Sequence, residues 1–64
     1  MKVREVIDLL KNDGWVQIKQ RGSHRQFKHS TKPGKVTVPG HPSDEISKGT
    51  LKSIFRQAGI KAET

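Results

Sequence analysis

The sequence predicts an α+β two-layer sandwich of order α-β-β-β-α, in which a three-stranded antiparallel sheet carries two helices on one face. Three observations predict it: an apolar stripe of helical spacing opens the chain, a second closes it, and the middle alternates at period two between turn signals. Two such stripes need a shared surface to cover. A small sheet offers one and leaves its other face to water.

Val3, Val6, Ile7 and Leu10 recur at i, i+3, i+4 and i+7, which predicts a helix over about residues 3–13, with Leu9 broadening the stripe. Gly14 stands where a left-handed ending is wanted, and Lys11 in the last turn meets the negative end of the helix dipole. From Trp15 to Gln20 the pattern changes to alternation, with Val16 and Ile18 on one face and Gln17 and Lys19 on the other, which predicts a half-buried strand. Arg21, Gly22 and Ser23 form a short turn, and residues 25–30 return as a second strand around Phe27. Pro33 and Gly34 suit the central positions of a type II turn, since proline presets the first φ and glycine accepts a positive second one. Val36, Thr37 and Val38 make a short third strand, stopped by Pro39 and Gly40, with both valines facing the same way. Residues 39–47 read as a connecting loop. Leu51, Ile54, Phe55 and Ala58 repeat the helical stripe and predict a helix over about 48–58, with Ser47 as N-cap and Gly59 and Ile60 closing it. The last four residues are expected to fray. Trp15, Phe27 and Phe55 are assigned to the core, and residues 1–64 to one domain.

Composition narrows the function. A 64-residue chain buries too little surface for a deep cofactor cavity, which favours a shallow site and no cofactor. The absence of cysteine removes disulfides, thiolate nucleophiles and cysteine zinc sites, and favours the cytoplasm. The opening residues resemble neither a signal peptide nor a membrane span, which points to a soluble, unprocessed chain. Lys and Arg number 13 against 6 Asp and Glu, a formal net charge of +7. Residues 14–43 contain no acid but hold Lys19, Arg21, Arg25, Lys28, Lys32 and Lys35. A positive field so concentrated suits a polyanion, and nucleic acid is the commonest; a merely solubilising surface is the plain alternative.

Within that stretch the run Arg21-Gly22-Ser23-His24-Arg25 places a histidine directly after a tight turn, between two arginines. Histidine exchanges a proton near neutral pH, and neighbouring cations hold a phosphate. For RNA that is nearly sufficient chemistry: a base deprotonates the 2′-hydroxyl, the oxygen attacks the adjacent phosphorus, and cations stabilise the charge that develops. An ordinary surface histidine beside a turn is the competing reading.

The chain resembles the HicA mRNA interferase family across nearly its whole length. The resemblance is carried by the opening amphipathic helix, Gly14-Trp15, the Gly22-Ser23-His24 triplet, Val36-Thr37-Val38-Pro39 with His41 close behind, and Lys48-Gly49-Thr50-Leu51 leading to Ile54 and Ala58-Gly59-Ile60. Each string is weak alone; their joint order in so short a chain is specific. The resemblance implies a double-stranded-RNA-binding-domain-like fold, ribosome-independent cleavage of messenger RNA as the toxin of a type II toxin-antitoxin system, and a HicB-type antitoxin that covers the active site. It places the family's histidine at His24.

The remaining candidates follow from position. Lys19, Arg21, Ser23, Arg25 and Lys28 lie near His24 along the hairpin and are expected to contact RNA. Lys48 and Lys52 flank the start of the second helix, whose free amides suit an anion. Gly49 beside them allows a close backbone approach or simply starts the helix. His24 and His29 are five apart, so a regular strand points them to opposite faces, which argues against a shared metal. His29 shares parity with Phe27 and is expected at the edge of the core, while His41 lies in a loop. A non-catalytic RNA-binding module uses the same basic face and is the main alternative. A DNA-binding regulator is weaker, because each helix carries an apolar stripe that the core needs. The second proton carrier of a cleavage reaction stays open among water, Lys28, His41 and His24 itself.

Overall fold

A computed structural model describes residues 1–60, so the expected fraying of 61–64 lies outside the described residues. The elements are α1 (Val3–Asn12), β1 (Trp15–Arg21), β2 (His24–His29), β3 (Lys35–Val38) and α2 (Lys48–Ala58). The sheet is antiparallel throughout with spatial order β1-β2-β3, so the α+β expectation holds, and β1 and β3 are edges. Among the described residues no helix is long and apolar enough to cross a membrane.

Val3, Val6 and Leu10 from α1 meet Ile54, Phe55 and Ala58 from α2 over Trp15, Phe27, Val36 and Val38 of the sheet, all buried. Ile7, Ile46, Leu51 and Ile60 pack around this cluster. The predicted stripes are thus the observed ones, with Ile7 at the margin and Leu9 outside it.

The helix ends explain themselves locally. Ser47 caps α2, its hydroxyl accepting from the Thr50 N–H. At the other end Gly59 takes φ +66°, the Gly59 N–H donates to Arg56 and the Ile60 N–H to Phe55, the paired bonds of a Schellman ending. The start of α1 is finished from far along the chain. Its Val3 and Arg4 N–H groups donate to the carbonyls of Asp44 and Pro42, and the Glu5 carboxylate accepts from the Lys2 N–H. The loop after β3 therefore supplies what the first turn of α1 lacks.

Two hairpin features set the geometry of the sheet. Arg21 pairs with His24, leaving Gly22 and Ser23 as a two-residue loop. Gly22 has φ +60° and no non-glycine residue has positive φ, as a type II′ turn requires. The turn is thus one residue shorter than the sequence suggested, and His24 begins β2. Gly34 has φ +81°, the value a type II turn asks of its second central residue.

The second feature is a bulge. Gln17 pairs with Phe27 and Lys19 with Gln26, so Ile18 is an extra residue in β1. This corrects the half-buried strand. Beyond Trp15 every residue of β1 is exposed, with Val16 at 63% and Ile18 at 50%. The alternation expected from Val16 and Ile18 fails for two reasons: the bulge rephases the strand, and the face it was assigned to has no helix over it.

Candidate nucleic-acid interface

Strand register sorts the middle of the chain onto two faces. Phe27 is buried beneath the helices, so its partners Gln17 and Val36 share its face, as do Arg25, Val38 and His29. The opposite face is open. It carries three cross-strand rows: Arg21 with His24, then Lys19 with Gln26 and Thr37, then Val16 with Lys28 and Lys35. In an unbulged ladder continued from Gln17 opposite Phe27, Ile18 would oppose Gln26 and Gln20 would oppose His24. The bulge sets Lys19 and Arg21 there instead.

The first two rows enclose a shallow pocket of about 320 Å³ lined by Lys19, Arg21, His24, Gln26 and Thr37. His24 is exposed, and among the described residues its ring makes no intramolecular hydrogen bond, so both nitrogens are available to a ligand. The walls contribute two cations and no carboxylate. Two cations beside an imidazole are chemistry suited to a phosphate and to proton exchange.

The other predicted contacts divide. Ser23 sits in the adjoining turn, half-buried. Lys28 shares the open face two rows from His24, outside the pocket. Arg25 is the correction: strand alternation turns it to the helix side, where its guanidinium donates to the Gly40 carbonyl at 2.9 Å and braces the loop after β3. Proximity along the hairpin was a poor guide there, because adjacent strand residues point apart. Lys48 and Lys52 begin α2 in the helix layer and are not brought together with His24. Gln26 and Thr37 were missed, although the shared parity of residues 24 and 26 was a usable signal for the first.

His29 occupies the other end of β2 and is held on both nitrogens. Its Nδ1 accepts from the Thr31 and Lys32 N–H groups at 3.0 and 3.2 Å, which leaves the proton on Nε2 to donate to the Asp13 carbonyl at 2.6 Å. Its ring meets Trp15 edge to face at 5.2 Å. Gly14 is required alongside: it has φ +97°, and a Cβ there would lie 2.7 Å from the His29 Nε2. Lys32 completes this clasp. Its ammonium pairs with the Asp13 carboxylate and donates to the Ala58 carbonyl, tying together the C-terminal ends of both helices. The Lys32 hydrogen bond, more than its charge, holds the Asp13 carboxyl below its ordinary pKa against a modest opposing effect of burial. The indole N–H of Trp15 meets no acceptor at hydrogen-bonding geometry and adds only a weaker pull on Asp13.

His41 is exposed in the loop, its backbone N–H donating to the Asp44 carboxylate and its carbonyl accepting from the Asp44 N–H. His24 and His29 do face opposite sides of β2 as expected. Among the described residues no three His, Asp or Glu side chains converge.

Fold and site define a small basic α-β-β-β-α domain that presents a histidine and two cations on an uncovered sheet face. The model of the HicA toxin of bacterial toxin-antitoxin systems matches residues 3–60. The chain belongs to this HicA toxin family. A solved structure described as a HicA3 and HicB3 toxin-antitoxin complex contains a similar chain, 30% identical with a TM-score of 0.79, over 98% of this chain and 100% of that one. A comparison with curated proteins found no match.

Proposed function

We propose that this toxin is a ribosome-independent messenger-RNA endoribonuclease that works without a metal, and that a HicB-type antitoxin restrains it. The observation that carries the reading is the pocket in which the unengaged His24 ring, opposite Arg21, shares the open face with Arg21 and Lys19. His24 takes the proton of a 2′-hydroxyl, the new O2′–P bond forms, and the P–O5′ bond breaks to leave a 2′,3′-cyclic phosphate. Solvent, which reaches the exposed pocket, returns a proton to the leaving 5′-oxygen. Arg21 and Lys19 stabilise the charge on the phosphoryl oxygens as it develops. The backbone of Lys28 lies about 13 Å along the strand from that of His24, so Lys28 serves a neighbouring phosphate rather than the scissile one. The antitoxin partner is inferred from family membership and from the complex in which the similar chain was solved; an acidic surface suits the basic face it must cover.

The test is incubation of purified messenger RNA with the protein and with its His24→Ala variant in EDTA, the products resolved on a denaturing gel. Cleavage by the unaltered protein alone supports the reading. Intact RNA with both, accompanied by a mobility shift, sinks it in favour of a non-catalytic RNA-binding module, and equal cleavage by both removes His24 from the mechanism.

A further inference from the structure

The pocket contains two side chains that the cleavage chemistry leaves unused. Gln26 and Thr37 face each other across β2 and β3, line the pocket with His24, and are themselves half-buried. Among the described residues neither side chain has a hydrogen-bond partner, whereas Gln17 and Gln20 on the other face bond each other and the Gly22 carbonyl. Neutral donor-acceptor groups add no charge attraction for a phosphate, although their N–H and O–H groups can bond one at contact. They are suited to the edge of a nucleobase, since a carboxamide offers a donor and an acceptor side by side and a hydroxyl offers either.

Position supports the same assignment. The row of Gln26 and Thr37 lies two residues, about 6.6 Å, from the row of Arg21 and His24. The next row, two residues further, is cationic again with Lys28 and Lys35. The open face therefore runs Arg21 and His24, then Gln26 and Thr37 with Lys19 at the β1 edge, then Lys28 and Lys35. A strand with its scissile phosphate in the first row reaches the third, about 13 Å on, only at the second phosphate along, and a nucleotide between them brings its base over Gln26 and Thr37. A shallow pocket of about 320 Å³ suits one splayed nucleotide.

We infer that Gln26 and Thr37 select the base of the nucleotide whose 2′-hydroxyl attacks the scissile phosphate, so that the pocket takes one unpaired nucleotide of a single strand. The inference rests on the ribonuclease reading for its orientation, but its test does not depend on cleavage.

The probe is a set of four short single-stranded RNAs differing only at one base, with a 2′-deoxyribose there to block cleavage. The unaltered protein is expected to prefer one of the four by at least about fivefold, the lower range for a paired donor-acceptor contact. Gln26→Leu and Thr37→Val each flatten the preference to within about twofold, with the salt dependence of binding unchanged because no phosphate contact is lost. Thr37→Ser, which keeps the hydroxyl, retains it, and thermal melts establish that each variant is folded. Equal binding of all four RNAs by the unaltered protein overturns the inference. So does a preference that survives in both folded variants, or tighter binding of the same sequence as a duplex. A parallel assay of an all-ribose strand reports separately on the nuclease reading, since failure to cleave leaves the binding preference measurable.

Discussion

The two ends of β2 carry the same side chain in opposite conditions. His29 has both ring nitrogens committed to backbone groups and an aromatic neighbour against its edge; His24 has neither and faces water from a pocket with cations. One ring is tied into the fold and the other is left unengaged on the open face. Strand parity separates the two rings, since five residues on a regular strand put them on opposite faces.

Substitutions can break that contrast in order of expected effect. His24→Ala should lower cleavage by at least about a hundredfold, the lower range for loss of a general acid or base, while melting within a degree or two of the unaltered protein. His29→Ala should do the reverse. It strands one carbonyl and two N–H groups and loses the Trp15 contact, for about 2–3 kcal/mol of stability in urea unfolding, with little change in the cleavage rate per folded molecule. Gly14→Ala should cost about 2 kcal/mol from positive φ and the collision with His29. The same substitution made in His29→Ala should cost distinctly less, because the colliding ring has gone; equal costs would mean that backbone strain is the whole effect.

Lys32→Met sharpens the comparison further by removing the cation at the ends of both helices. The loss at the α2 carbonyls alone is about 1 kcal/mol, read as a lower melting temperature. The smallest effect is that of pH. Because the Asp13 pKa is depressed in the folded protein, its contribution is fully present above the ordinary carboxylate range and is lost as pH falls through the lowered value. Melting temperature should therefore fall on acidification below about pH 4, and Asp13→Asn should make that fall shallower.

What was legible in the sequence was what local rules control. Both helix stripes, the Ser47 cap and the Gly59 ending depend on residues a few positions apart and were found where the spacing placed them, and the first hairpin turn missed by one residue. The exposure of His24 was legible because a hairpin loop exposes the residue beside it by construction. The faces of β1 were not legible, because nothing in Val16-Gln17-Ile18-Lys19 marks Ile18 as an inserted residue, and because apolar residues on an uncovered face mimic a core pattern. Arg25 was misjudged by counting along the chain instead of across the sheet. The clasp of Lys32 with Asp13 and the end of α2 joins residues 13, 32 and 58, a closure no short window contains.

The extra residue in β1 also bears on how this strand tolerates changes in length. Removing Ile18 would leave Gln17 opposite Phe27, Lys19 opposite Gln26 and Arg21 opposite His24, so a one-residue deletion at that position keeps both cations over the pocket and merely straightens the ladder. A single insertion between Lys19 and Arg21 would send one of them to the helix side. Descendants of this chain can therefore lose a residue at 18 and keep the site, but cannot gain one a few positions later without losing it.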